Sequence, residues 1–401
     1  MRYGDTFPRS TTDSVNQLLY GANPATGKYD KHLVKENVLH PPVNNRPVNI
    51  AFEGSAVYSP ITYLPHVIGY DIARLFSKSV VVDVYGGRLG DAIAWLLLIW
   101  LAIRLTPVGK WAFAAMGLLP QIVYSAATLQ ADAFNTSLCF LFVALILHLR
   151  FNEAIKSVSL KYLGILLAVM SAIALSKFAY IPIFLLVFLI PRRKMPRPFI
   201  TWPSLLIIPT VLSFLWEYAV RNIAGKLDSI LNGVKYGPKQ QLHFVAHHPL
   251  SGIHAIINSM FSGASDHLVR EMLGVFTWFY LLLPLWIQLI SVATVVLALL
   301  YQFGRAPTLA VSRKALVLFS LAASTTLIFV TFYFLWSPAG AKEVLGVQGR
   351  YFLPMLSMLV LLFTGKKTVI NLTQNALARL VQAGSLIGLC ATVIVLANKF
   401  Y

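Results

Sequence analysis

Carboxylates are scarce in this chain of 401 residues. It has 15 Asp and Glu against 33 Lys and Arg, and charged residues make up only 12% of it. A soluble domain carries roughly a quarter charged residues, so the composition excludes that class. Cysteine is scarcer still. Cys139 and Cys390 both fall inside apolar runs, without ligand spacing, which argues against a disulfide framework and a cysteine metal cluster. The opening "MRYGDTFPRSTTD" resembles neither a signal peptide nor a membrane span.

What fills the chain is apolar sequence, 57% hydrophobic with a mean hydropathy of +0.69. Ten candidate spans lie near 88–106, 111–128, 133–149, 160–176, 178–191, 202–219, 275–302, 314–336, 351–364 and 380–398. The reading is an all-α, polytopic transmembrane helix bundle. Residues 1–87 form an outer first-loop region and residues 88–401 the membrane domain, with a second outer loop at 220–274. The fifth and ninth spans are short and call for tilt, a locally thinner bilayer or a frayed end.

The net charge of +18 is mostly a topology signal. Alternate loops carry the cations, from Arg104 and Lys110 through Arg150, Arg192, Arg193, Lys194, Arg305, Lys314 and Lys366 to Arg379. Against these stands one acid, Glu153. Asp132, Glu217, Asp228, Asp266, Glu271 and Glu343 lie on the other side. Basic short loops stay in the cytoplasm, so both termini face outward and no nucleic-acid partner is needed. An outer tail of 87 residues needs exporting. A transmembrane helix ahead of Met1 is therefore expected, with post-translational export of the tail as the alternative.

Within the tail, Tyr58, Ile61, Leu64, Ile68, Ile72 and Phe76 recur at helical spacing, with Tyr63, His66, Asp71 and Arg74 between them. The stretch 58–76 reads as an amphipathic helix on the membrane surface or, from pattern alone, as an ordinary packing helix. The loop 220–274 holds His243 and His247 four apart. That is ligand spacing, yet no acidic residue completes a set, so a solvated loop is the preferred reading.

Three outer junctions set polar residues against apolar flanks. In "TLQADAFNTSL" (128–138), Asp132 suits a helix N-terminus or a working carboxylate. In "ALSKFAYIPIF" (174–184), Lys177 either snorkels or meets an anionic headgroup. In "VQGRYFLP" (347–354), Arg350 offers a planar fork for phosphate, Gln348 a neutral donor, Gly349 close backbone approach and Tyr351 an interfacial ring. Their shared face suggests a site for a lipid-linked anion.

The order of these motifs, from "AVYSPITYLPHVIGYDIARLF" through "SAATLQADAFNTSL" and "ALSKFAYIPI" to "QGRYFLP", resembles a bacterial membrane-protein family catalogued as domain of unknown function 2142. That family is similar to the GT-C superfamily of integral membrane glycosyltransferases. The resemblance covers nearly the whole chain and implies a polyprenyl-phosphate sugar donor, a cell-envelope glycan or lipid acceptor, and an active site on the outer face of the bacterial plasma membrane. It implies donor-phosphate binding by Lys177 and Arg350, joined by Gln348 and Tyr351. Asp132 would be a supporting carboxylate, and Tyr58, Pro60, Tyr63 and His66 would line the acceptor side. A divalent metal is a possible cofactor, though no metal-ligand set is assigned. The family's acidic motif after its first helix has no counterpart here, so this chain as given is expected to be inactive or nearly so. A lipid-linked-saccharide flippase and a non-catalytic assembly partner are the rival readings.

The orientation is directly testable. In intact cells, with Cys390 removed, a membrane-impermeant maleimide should label a cysteine at Ser251 and spare one at Lys366. The reverse pattern would invert the topology.

Overall fold

The computed structural model describes residues 4–20, 32, 35–36, 46–51, 57–224, 238–262, 265–276 and 281–400. Much of the first-loop region and parts of loop 220–274 therefore lie outside the described residues. Within them the chain is helical, apart from two small antiparallel ribbons. Gly4–Pro8 pairs with Pro47–Ala51, and Val275–Phe276 with Leu281–Leu282. A short helix, α1 (Arg9–Tyr20), follows the first strand.

The tail helix is shorter than its periodicity suggested. Ser59 accepts a hydrogen bond from Ile61 N and caps a 3₁₀ turn, Pro60–Tyr63, which leads into α2 (Leu64–Arg74). Tyr58 precedes the helix and Phe76 lies beyond it. Both the interfacial and the packing readings have support. Leu64, Ile68 and Ile72 are exposed, while His66 is buried. The opposite side packs on α3 (Val80–Leu105) through glycines. A Cβ on Gly69 would stand 2.1 Å from Gly86 O, and one on Gly90 would stand 2.2 Å from Pro65 O. Small residues let helix backbones approach in this way.

The predicted second span is two helices, α4 (Lys110–Gly117) and α5 (Pro120–Ala126). Pro120 lacks an N–H and holds Leu119 extended, which apolar composition alone does not reveal. α6 (Ala131–Phe151) follows, and 83% of its apolar window is buried inside the protein. A helix apolar all round belongs at the centre. Its neighbours include α3 and α7 (Leu160–Ser176). α8 (Pro198–Ala224) carries Pro203 and Pro209 internally. Three shorter helices, α9 (Pro238–His247), α10 (Pro249–Phe261) and α11 (Ser265–Gly274), lie within the stretch 220–274. The predicted seventh span starts late, as α12 (Leu285–Gln302). Pro284 sets its N-terminus, and Leu283 N bonds back to Gly274 O to close the second ribbon. α13 (Val311–Leu335), α14 (Leu359–Leu362) and α15 (Gln374–Phe400) complete the bundle. Among the described residues, five helices are long and apolar enough to cross a membrane: α6, α8, α12, α13 and α15.

The two short spans have their own solution. Phe178–Leu189 and Gly349–Met358 are 3₁₀ helices. At about 2.0 Å rise per residue, 12 residues reach roughly 24 Å, against about 18 Å as α-helix. Pro182 and Pro354 sit inside them, where each removes an N–H from the hydrogen-bond ladder.

At the end of the bundle where the sequence collects cations, the charges also satisfy backbone. Arg150 and Arg313 both donate to Leu189 O, at 2.6 and 3.0 Å. Lys194 donates to Leu149, Arg150 and Asn152 carbonyls, and Lys314 to those of Leu362 and Thr364. Helix C-termini leave such carbonyls unpaired.

Candidate functional site

The opposite end of α6 carries the site. Asp132 lies in the first turn of α6 and Thr136 donates to its carbonyl. Its own side chain does not cap that helix, so the N-cap reading of Asp132 is set aside. Instead Oδ1 accepts from Lys177 Nζ at 2.6 Å, and Oδ2 lies 3.2 Å from Arg350 Nε. Lys177 is the single extended residue between α7 and the first 3₁₀ helix. Arg350 is the second residue of the other. Three distant stretches thus converge on one carboxylate. The side chains of Asp132, Lys177 and Arg350 are 15%, 17% and 28% exposed, so the cluster is largely dry yet reachable.

Aromatic rings wall it. Lys177 Nζ stands 3.9 Å from the centroid of Tyr351 and 5.8 Å from that of Tyr58. Cation–π attraction strengthens where water is excluded. Tyr351 is stacked on Phe332, and its carbonyl accepts from the buried Tyr180 hydroxyl at 2.8 Å, which ties the two 3₁₀ helices together. The Lys177 ammonium pulls the Tyr58 hydroxyl toward ionisation. Burial, with Tyr351 and Asp132, outweighs that pull and holds its pKa above the ordinary tyrosine value. Tyr58 is therefore a neutral hydroxyl at physiological pH.

Of the residues singled out in sequence, Asp132, Lys177, Arg350, Tyr351 and Tyr58 come together. Gln348 is half-buried and serves through its backbone, whose carbonyl accepts from Tyr351 N. The neutral partner of Arg350 is Gln130, whose Oε1 accepts from Nη1 at 2.9 Å. Pro60 and Tyr63 form the turn that packs against α6 and α7, while His66 faces away toward α3. There its Nε2 lies 3.6 Å from Asp91 Oδ2, and both side chains are buried. Sequence reasoning passed over Asp91, Gln130 and Glu271. Glu271 accepts from Gly349 N at 2.7 Å, and a Cβ on Gly349 would stand 2.1 Å from Leu268 O. That glycine lets the 3₁₀ helix start against α11. Gln130 lay in a quoted motif; the other two gave no signal beyond being acids in an apolar chain. His243 and His247 share one face of α9 with ring centroids 4.3 Å apart. Among the described residues no three His, Cys, Asp or Glu gather to hold a metal, and the residues present at the cluster do not form a metal ligand set.

A family described as "Predicted membrane protein (DUF2142)" matches residues 21–359. The chain belongs to this family of predicted membrane proteins. The matched stretch contains Asp132, Lys177 and Arg350 together with both 3₁₀ helices. No curated protein and no solved structure matches the chain.

Two cations against one carboxylate leave an excess of one positive charge, which favours an anion beside them. Removing the carboxylate leaves two buried like charges unbalanced, and breaking such a pair costs about 3–5 kcal/mol. Asp132→Asn should therefore lower the thermal midpoint in detergent, and adding Lys177→Met should restore most of the loss. Additive losses would show that the contact carries no coupling.

Proposed function

We propose that the chain is a membrane glycosyltransferase, moving a sugar from a polyprenyl-phosphate donor to a cell-envelope glycan or lipid acceptor on the outer face. One observation carries the reading: the dry, net-positive cluster of Lys177 and Arg350 about Asp132, at one end of the bundle and walled by Tyr58 and Tyr351. A phosphate on a lipid tail presents its charge at that depth while the tail stays in hydrocarbon.

In this mechanism the bond between the anomeric carbon and the phosphate oxygen breaks as the acceptor oxygen bonds to that carbon. Lys177 and Arg350 stabilise the charge growing on the leaving phosphate. Asp132 holds the two cations in place rather than acting as base, because both its oxygens already face them. The acceptor proton passes to a carboxylate other than Asp132. One displacement predicts inversion of configuration.

The test is transfer of radiolabelled sugar from a polyprenyl-phosphate pool to envelope acceptors, with the full-length protein in nanodiscs. Removing one such donor costs about 10²–10³ in rate, so Arg350→Ala should abolish measurable transfer without unfolding. Arg350→Lys should recover only part, since an ammonium lacks the planar fork. Normal transfer by Arg350→Ala, or undiminished binding of polyprenyl phosphate by Arg350→Ala where the unmodified chain transfers no sugar, would overturn the reading.

A further inference from the structure

The transfer proposed above needs a base for the acceptor hydroxyl, and Asp132 is taken by two cations. Other acids are engaged or remote. Asp83 Oδ2 lies 3.8 Å from Arg74 Nε, and Asp91 is buried against His66. Glu153 lies just past the end of α6 far from Asp132. Glu271 is placed differently. It sits on α11, which packs against the 3₁₀ helix that carries Arg350.

Leu268, Glu271 and Met272 are spaced three and four apart, so they share one face of α11. All three meet Gly349. A Cβ on that glycine would stand 2.1 Å from Leu268 O, 2.4 Å from Met272 N and 2.7 Å from Glu271 Cβ. Gly349 N donates to Glu271 Oε2 at 2.7 Å. The leading N–H groups of a helix point out of its start, so the carboxylate lies just past the start of this 3₁₀ helix. Arg350 is the next residue, its Cα about 3.8 Å farther along the chain. The carboxylate and the Arg350 guanidinium thus flank one short stretch of backbone.

The bond to Gly349 uses one oxygen only. Glu271 Oε1 has no partner among the described residues and is not enclosed. No cation among the described residues forms an ion pair with Glu271, because Lys177 and Arg350 both turn to Asp132. Capping one N–H needs no charge, since serine or asparagine would serve. A half-buried carboxylate, which Glu271 is, costs desolvation that a neutral cap avoids. One oxygen held, the other open and no cation to keep a proton away is the arrangement that a base requires.

We propose that Glu271 is the general base of the transfer. The acceptor hydroxyl lies against Oε1. Its proton passes to that oxygen while the electron pair of the O–H bond goes to the anomeric carbon. On the opposite side the bond from that carbon to the phosphate oxygen breaks. Its electron pair leaves with the polyprenyl phosphate, beside Lys177 and Arg350. Glu271 then gives the proton to water. This role depends on the transfer proposed above and supplies the carboxylate left unnamed there.

The protein in nanodiscs, given polyprenyl-phosphate-linked radiolabelled sugar, tests it. Glu271→Gln keeps an acceptor for Gly349 N and loses the base. It should cut transfer about 10²–10⁴-fold and leave polyprenyl-phosphate binding unchanged. Glu271→Ala makes room for azide, an anion that attacks carbon without giving up a proton. Sodium azide should raise donor cleavage by Glu271→Ala about tenfold or more, with the glycosyl azide as product, and leave Arg350→Ala inactive. A residue that only caps a helix would show no such rescue. Normal transfer by Glu271→Gln, or a loss that azide does not rescue in Glu271→Ala, would overturn the role of Glu271 while leaving the phosphate site standing. Absence of transfer by the unmodified chain would also overturn it. Binding of polyprenyl phosphate that Arg350→Ala weakens would then show that the phosphate site survives, and undiminished binding that it falls too.

Discussion

The contact of Asp132 with Lys177 and Arg350 is the constraint on which this end of the bundle depends. Three segments far apart in sequence meet at one carboxylate. Each arrives with its charge already buried against apolar neighbours, so none could stay there alone. The central helix α6 provides the fixed point, because its body is buried along nearly its whole length. The two cations hang from 3₁₀ segments that pack on it and on each other through Tyr180 and Tyr351. Stability and chemistry share the contact: the carboxylate balances one cation, and the remaining positive charge favours an anion at the bundle's rim.

The 3₁₀ helices explain how so short a segment can reach both the site and the far end of the bundle. Their greater rise per residue lets Phe178–Leu189 run from Lys177 down to the carbonyl of Leu189, which Arg150 and Arg313 hold. Poorer hydrogen-bond geometry is the cost of that reach. Pro182 makes a regular α-helix less favourable there, and the tight packing of Ile183, Phe184 and Leu186 compensates.

Much of this was legible in the sequence, for physical reasons. The α7 helix, 160–176, was read at its observed bounds because a polar Ser159 cap and an extended Lys177 bracket an unbroken apolar run. Asp132, Lys177 and Arg350 stood out because charge is conspicuous against apolar flanks. The break between α4 and α5 and the late start of α12 escaped notice, since Pro120 and Pro284 act on backbone while leaving hydropathy unchanged. The partnership of Gln130 with Arg350 spans 220 residues and has no local signature. Asp91 was passed over because it falls inside the first apolar run, and its partner His66 was read as facing the acceptor rather than α3. The long-range glycine contacts of Gly69 with Gly86, and of Gly349 with Leu268, are likewise invisible until the backbones meet.

The central claim is that the net-positive cluster receives a lipid-linked phosphate. An experimental structure of the protein in nanodiscs with a polyprenyl phosphate tests it most directly. The account predicts phosphate density within about 3 Å of Lys177 Nζ and the Arg350 guanidinium, hydrogen-bond reach for charged donors, with the tail leaving toward the exposed face of α2. A phosphate bound elsewhere while Asp132, Lys177 and Arg350 keep their closed contact would contradict it.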